Sequence, residues 1–279
     1  MKIRYVLILL WVFLLAVNVV HAKTILRLGV RGYSPPFSFV EKRPGGDPVL
    51  RGFSIDLAKE IARKMGMRPK FLLMAGLSDR RERLRQGRIN AVVLDIQPGA
   101  SEPETLFFPI DLSLHSYFYV SEKCRTVTCS KDLAHKRVVT IGGHGLSSIL
   151  KESTEVNYVD SPLQALRLLH EGAVDAFLAP SKRVAEYWIQ KEGFDDIRRV
   201  GFEARETPLG IRVSNMNPEL LPRMHKAYHQ VVEQGELAQI KAKWFGKAVA
   251  SKKWFCGPQN RLQKGYVSSK ERYLFLEYS

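Results

Sequence analysis

Residues 161–180 read SPLQALRLLHEGAVDAFLAP, a helix followed at once by a buried strand. Ser161 is a good N-cap, Pro162 suits the first helical position, and Gly172 stops the helix. The apolar run 173–180 then fits a strand covered on both faces. The same grammar occurs upstream. SDRRERLRQGR (78–88), closed by Gly87, reads as a helix, and INAVVLDI (89–96) as a strongly buried strand.

Working outward, ILRLGV (25–30) reads as a strand and RGYSPPFSF (31–39) as a loop, since Pro35 and Pro36 forbid helix there. EKRPGGDPV (41–49) reads as a polar turn. GFSIDLAKEIARKMGM (52–67) reads as a helix with Ser54 as N-cap and Asp56 at its positive end. Its apolar face carries Leu57, Ala58, Ile61, Ala62 and Met65 at helical spacing, and Gly66 ends it. PKFLLM (69–74) is a strand. Farther on, KRVVTIGG (136–143) and VNYVD (156–160) read as strands. HGLSSILKES (144–153) and SKRVAEYWIQKEG (181–193) read as helices, and 218–246 as two helices broken near Gly235. The alternation predicts α/β architecture with mostly parallel sheets, once over 25–113 and again over 122–204. Two extended stretches, SYFYVS (116–121) and ETPLGIRV (206–213), join the units, so two lobes with a double hinge are expected. In such sheets a ligand site lies at the carboxyl ends of the strands, here in the cleft between the lobes.

The whole chain has 279 residues, 45% hydrophobic and 25% charged, which suits globular lobes and excludes wholesale disorder. Three cysteines are too few for a disulfide scaffold or a four-Cys zinc site. The single long apolar run lies at residues 5–17, behind Lys2 and Arg4 and ahead of Val20, His21 and Ala22. That pattern reads as a secretory signal peptide, residues 1–22, cleaved after Ala22. The expected location is therefore the periplasm. A net charge of +15 then favours anionic envelope surfaces or an acidic partner rather than nucleic acid. Arg80, Arg81, Arg83, Arg85 and Arg88 read as a solvated helix face. Export permits disulfides, and Cys124 and Cys129 are close enough for a local bridge, with Cys256 left over.

Five fragments, in order, resemble the periplasmic solute-binding proteins of extracellular family 3, the polar-amino-acid type. They are LRLGVRGYSPPFSF, GFSIDLAKEIARKMG, LRQGRINAVV, LLHEGAVDAFLAP and GELAQIKAKWFG, spanning about 24–246. The resemblance implies a type II two-lobed periplasmic-binding-protein-like fold. Lobe 1 would take 23–115 and 214–248, lobe 2 would take 122–205, the hinges would be 116–121 and 206–213, and 249–279 would be a C-terminal extension. It implies a monomer without cofactor that closes on a small polar solute and serves an inner-membrane ABC permease or a membrane sensor. An interaction or sensing protein that no longer binds amino acids is the alternative.

The resemblance also assigns site residues. Tyr33 and Phe37 match loop aromatics that pack on a ligand or on the loop's own core. Arg31 beside them is a cationic donor or a surface arginine. Asp95 and Gln97 lie at the end of the third strand, with Asp95 either contacting a cationic group or satisfied in a turn. Gly145, Leu146 and Ser147 match backbone donors at a helix start, which favour anions. The family's carboxylate-clamping arginine falls on Glu102, opposite in sign, unless the alignment there is off by a few residues. Its acidic acceptor for the ligand's amino group falls on Pro180. An ordinary α-amino acid is thereby disfavoured, and a zwitterion bound differently, a basic compound or a small peptide enters consideration. No nucleophile elbow or dinucleotide fingerprint is present, and His225 with His229 lacks a third metal ligand, so neither catalysis nor a metal is expected.

Overall fold

The computed structural model describes residues 24–96, 105–123, 127, 130–142, 150 and 154–246. Three parallel strands open the first lobe: β1 (Ile25–Val30), flanked by β5 (Arg68–Leu73) and β6 (Ala91–Ile96). Three more open the second: β8 (Arg137–Ile141), flanked by β9 (Glu155–Val159) and β10 (Ala176–Ala179). Two long antiparallel strands, β7 (Thr105–Ser121) and β11 (Ile197–Ser214), run through both lobes. The result is one eight-stranded sheet in the order β5-β1-β6-β11-β7-β10-β8-β9.

The lobe boundary is visible in the pairing. Residues 117–119 pair with β10, and 209–213 pair with β6. Between them, 113–116 and 205–208 pair only with each other, and the register slips on both sides, between Val200 and Arg205 and between Pro208 and Gly210. The strands approach closely at the second slip. A Cβ on Gly210 would sit 2.2 Å from the Phe107 ring and 2.3 Å from the Phe108 carbonyl oxygen.

Helices α1 (Phe53–Lys64), α5 (Leu220–Glu233) and α6 (Glu236–Phe245) cover the first lobe. Their apolar faces meet β1, β6 and β11 in one core containing Leu28, Leu57, Ile61, Ile211 and Met224. Gly235, at φ 74, makes the break between α5 and α6. Asp56 near the start of α1 accepts from Trp244 Nε1 (2.8 Å) and Lys243 Nζ (2.6 Å), tying α6 to α1. In the second lobe α3 (Pro162–Glu171) is capped by Ser161 and stopped by Gly172. It packs with α4 (Lys182–Glu192) around Leu166, Leu169 and Phe177.

Two local expectations are corrected. Residues 41–49 are not merely a turn: β3 (Ser38–Arg43) and β4 (Gly46–Arg51) form a hairpin, extended by β2 (Tyr33–Ser34). Glu41 and Arg51 hold it with a 2.7 Å ion pair. The N-cap of α1 is Gly52, at φ 134, and not Ser54. The helix start carries the aromatic loop: Phe53 N–H donates to the Pro36 carbonyl (3.0 Å), Ser54 N–H to the Phe37 carbonyl (2.9 Å), and Ser54 Oγ also to Phe37 (2.9 Å). A Cβ at position 52 would meet the Phe37 oxygen at 2.2 Å, so a side chain does not fit there.

Candidate functional site

A cleft opens between the lobes at the carboxyl ends of β1, β6 and β10, holding about 910 Å³ of space, its mouth included. Of the anticipated residues, Arg31, Tyr33, Phe37 and Asp95 line it, as does Pro180. Gln97, Glu102, Gly145, Leu146 and Ser147 lie outside the described residues, as do Cys124, Cys129 and the segments 1–22 and 249–279.

The loop aromatics divide. Phe37 lines the cleft but is only 8% exposed and packs edge-on against Phe245 (5.6 Å) in the first-lobe core. Tyr33 is half-buried on the cleft side, paired across β2 and β3 with Phe39.

Helix α2 (Leu77–Arg85) carries the main surprise. Its arginines read as a solvated face, yet Arg80 is 2% exposed and lines the cleft. Arg80 shares its helix face with fully buried Leu84, which packs with Met74, Ile89 and Val92. Asp79 steadies the start of α2, accepting from Ala75 N–H (2.9 Å) and Arg83 Nε (2.6 Å).

Arg80 is held inside by Asp95, itself 1% exposed. Arg80 Nη1 donates to Asp95 Oδ1, and Arg212 Nε lies 2.8 Å from Asp95 Oδ2. Arg212, on β11 and 1% exposed, also donates Nη2 to the Ile96 carbonyl (2.8 Å). Asp95 thus faces two guanidinium groups from elsewhere in the fold, and its Oδ1 also accepts from the Ile96 N–H (3.0 Å). Backbone geometry aims it. β6 carries one extra residue against β11 at Leu94, which adopts φ 67, unusual for a branched side chain and a mark of a shaped site.

The cleft is electropositive. Burial pulls the Arg80 guanidinium down to about 10; Asp95 opposes this, while Arg212 and Arg31 reinforce it. Arg80 stays charged at neutral pH. Its Nε is buried with no hydrogen-bond partner. Around this charge the walls are apolar, with Met74, Ile96 and Leu209 from the first lobe and Ile141, Phe177 and Val184 from the second. Pro180 contributes a carbonyl that accepts from Ser116 Oγ (3.1 Å) and has no acceptor side chain to offer.

The lobes also touch beside the cleft. Arg183 of α4 stacks over the Phe245 ring of α6 at 4.2 Å, Tyr187 meets Phe39 at 6.2 Å, and Val184 joins the first-lobe core.

Two α/β lobes joined by paired strands around a polar-ended cleft define a solute-binding protein. The chain belongs to the bacterial extracellular solute-binding proteins, family 3, whose profile matches residues 26–247. It is 25% identical over 248 residues to the L-cystine-binding protein TcyJ of Escherichia coli K12, covering 83% of this chain and 86% of that one. It is 22% identical over 249 residues to the L-cystine-binding protein TcyA of Bacillus subtilis 168, covering 83% and 85%. Among solved structures it resembles an ancestral arginine-binding protein bound to glutamine, at TM-score 0.70 and 27% identity, covering 81% of this chain and all of that one.

Proposed function

We propose that this protein is exported, loses residues 1–22, and captures a small polar solute of amino-acid size between its lobes for an ABC permease. The single observation that carries the reading is a cleft between two lobes whose charged end is Arg31 and Arg80. Relatives named for cystine, and an ancestral arginine binder holding glutamine, support solutes of this size. In this reading Tyr33 and Phe37 pack on the solute from lobe 1. Gln97, Glu102, Gly145, Leu146 and Ser147 complete the cleft. Closure bends the chain near 116–121 and 206–213, and the monomeric closed form is what the permease reads. The protein binds without turnover. A bridge between Cys124 and Cys129 accompanies export.

The test is a thermal-shift screen of the exported protein against amino acids, their deaminated counterparts, polyamines, small peptides and sugars. A ligand at about 100 times its Kd adds roughly 2.7 kcal/mol, a rise of several degrees for lobes of this size. Pro180, which gives the cleft no carboxylate, favours one second reading: a membrane sensor or interaction protein that no longer takes amino acids. Silence across the whole library would favour it.

A further inference from the structure

We propose that the solute of this cleft is a carboxylate with an apolar body and no α-ammonium group, a 2-oxo acid or a simple aryl or alkyl acid. The inference rests on the binding reading above and narrows its ligand.

Charge is the first argument. Two guanidinium groups, those of Arg80 and Arg212, pair with one carboxylate, that of Asp95, and a third, that of Arg31, lines the same cleft. Arg31 lines the cleft half-buried and has no ion-pair or hydrogen-bond partner among the described residues. Arg80 has Asp95 alone, and its Nε is buried without an acceptor. A buried donor left unmade is costly, and an incoming carboxylate supplies acceptors in the planar geometry that guanidinium matches.

The second argument is what an ammonium group would meet. Among the described residues, Asp95 is the one carboxylate lining the cleft, and both its oxygens already face guanidinium groups. On the opposite lobe Pro180 offers only a neutral carbonyl, which already accepts the Ser116 hydroxyl, and no carboxylate. The cleft's serines, Ser34, Ser38, Ser54 and Ser181, are neutral and supply no counter-charge. An ammonium group brought here loses water and gains two cationic neighbours, which is unfavourable without a counter-charge. The apolar walls then receive the rest of the solute.

The experiment is calorimetric titration of the exported full chain with matched pairs: 4-methyl-2-oxopentanoate against leucine, and phenylpyruvate against phenylalanine. Benzoate and inorganic phosphate are run alongside. At least tenfold tighter binding of each oxo acid than of its amino acid is expected. Arg31→Gln, at a residue with no ion-pair or hydrogen-bond partner among the described residues, should weaken the oxo acids tenfold or more while leaving the unfolding midpoint of the empty protein in place. Pro180→Asp should narrow the preference or reverse it. Glu102→Gln should leave the preference standing; if it creates or abolishes the preference, the cleft's charge is set from that loop and the inference falls. Amino acids binding tighter than their oxo acids would overturn the inference and keep the binding reading. Phosphate binding as tightly as the organic acids would overturn the apolar-body part. No binding by any acid, amino acid or phosphate, with silence in the wider screen, would overturn both.

Discussion

Asp95→Asn isolates the charge cluster at the floor of the cleft. The substitution keeps size but turns one acceptor oxygen into an NH2 donor facing a guanidinium, and it removes the one negative charge between Arg80 and Arg212, which are 2% and 1% exposed. At about 3 Å and an effective dielectric near 20, each pair attracts by roughly 5 kcal/mol before desolvation is counted. Breaking a buried pair by removing one partner costs about 3–5 kcal/mol, because the surviving charge has lost its water as well. Two arginines are stranded here and also repel one another, so the upper part of that range is expected. Against a total stability of about 5–15 kcal/mol, this is a large fraction. Urea unfolding, followed by tryptophan fluorescence and far-ultraviolet circular dichroism, should show a lower midpoint with an unchanged slope. Adding Arg80→Met to Asp95→Asn should recover part of the loss. A solute anion should also stabilise the single variant more than the parent, because the cleft has gained a net positive charge. A loss below about 1 kcal/mol would refute the reasoning, since it would mean that water reaches these groups and screens them.

Gly52→Ala should destabilise by about 3 kcal/mol or more, from the forbidden φ and the clash with Phe37, and thermal unfolding reads it directly. Asp79 is held below the usual carboxylate range, first by the Arg83 hydrogen bond and then by the Ala75 amide. Because its folded pKa is depressed, its contribution is present above the unfolded value of about 3.9 and is lost as pH falls through the folded value. Asp79→Asn should therefore cost about 0.5–1 kcal/mol at pH 7, and the two proteins should converge in urea titrations at the acid end. Arg183→Ala removes the cation over Phe245 that joins the lobes. A loss of about 1 kcal/mol in the closed form should appear as roughly fivefold weaker solute binding, and unchanged affinity would show that this contact does not hold closure.

Local signals made much of the fold legible. The caps at Ser161 and Gly172, the break at Gly235 and the apolar run before Pro180 depend on neighbours a few residues away, which periodicity and turn chemistry report. The hairpin β3–β4 escaped because residues 42–48 are polar and carry Pro44 and Pro48, while its ladder pairs Phe39 with Arg51 and Glu41 with Val49 across that segment. Ser54 was misassigned because the choice between it and Gly52 is made by the Phe37 carbonyl, 17 residues upstream of Ser54. Arg80 was hidden for the same kind of reason. A charged residue on a helix reads as solvated unless its counter-ions are known. Asp95 is 15 residues on, and Arg212 comes from the far end of the chain. The only available hint was Asp95, the penultimate residue of the buried strand 89–96, since a carboxylate so placed requires a cation from elsewhere.

The position of β11 governs how this molecule comes into being. Among the described residues it is the last strand made, yet it lies in the middle of the sheet, between β6 and β7. Until residues 197–214 emerge, β5-β1-β6 and β7-β10-β8-β9 are two half-sheets, each with an open backbone edge where its neighbour belongs. Neither half is a finished unit: the first also waits for α5 and α6 to cover its core. Pairings this distant in sequence form slowly. A chain cut short before Ile197 therefore leaves both half-sheets with an unpaired edge and the first-lobe core uncovered.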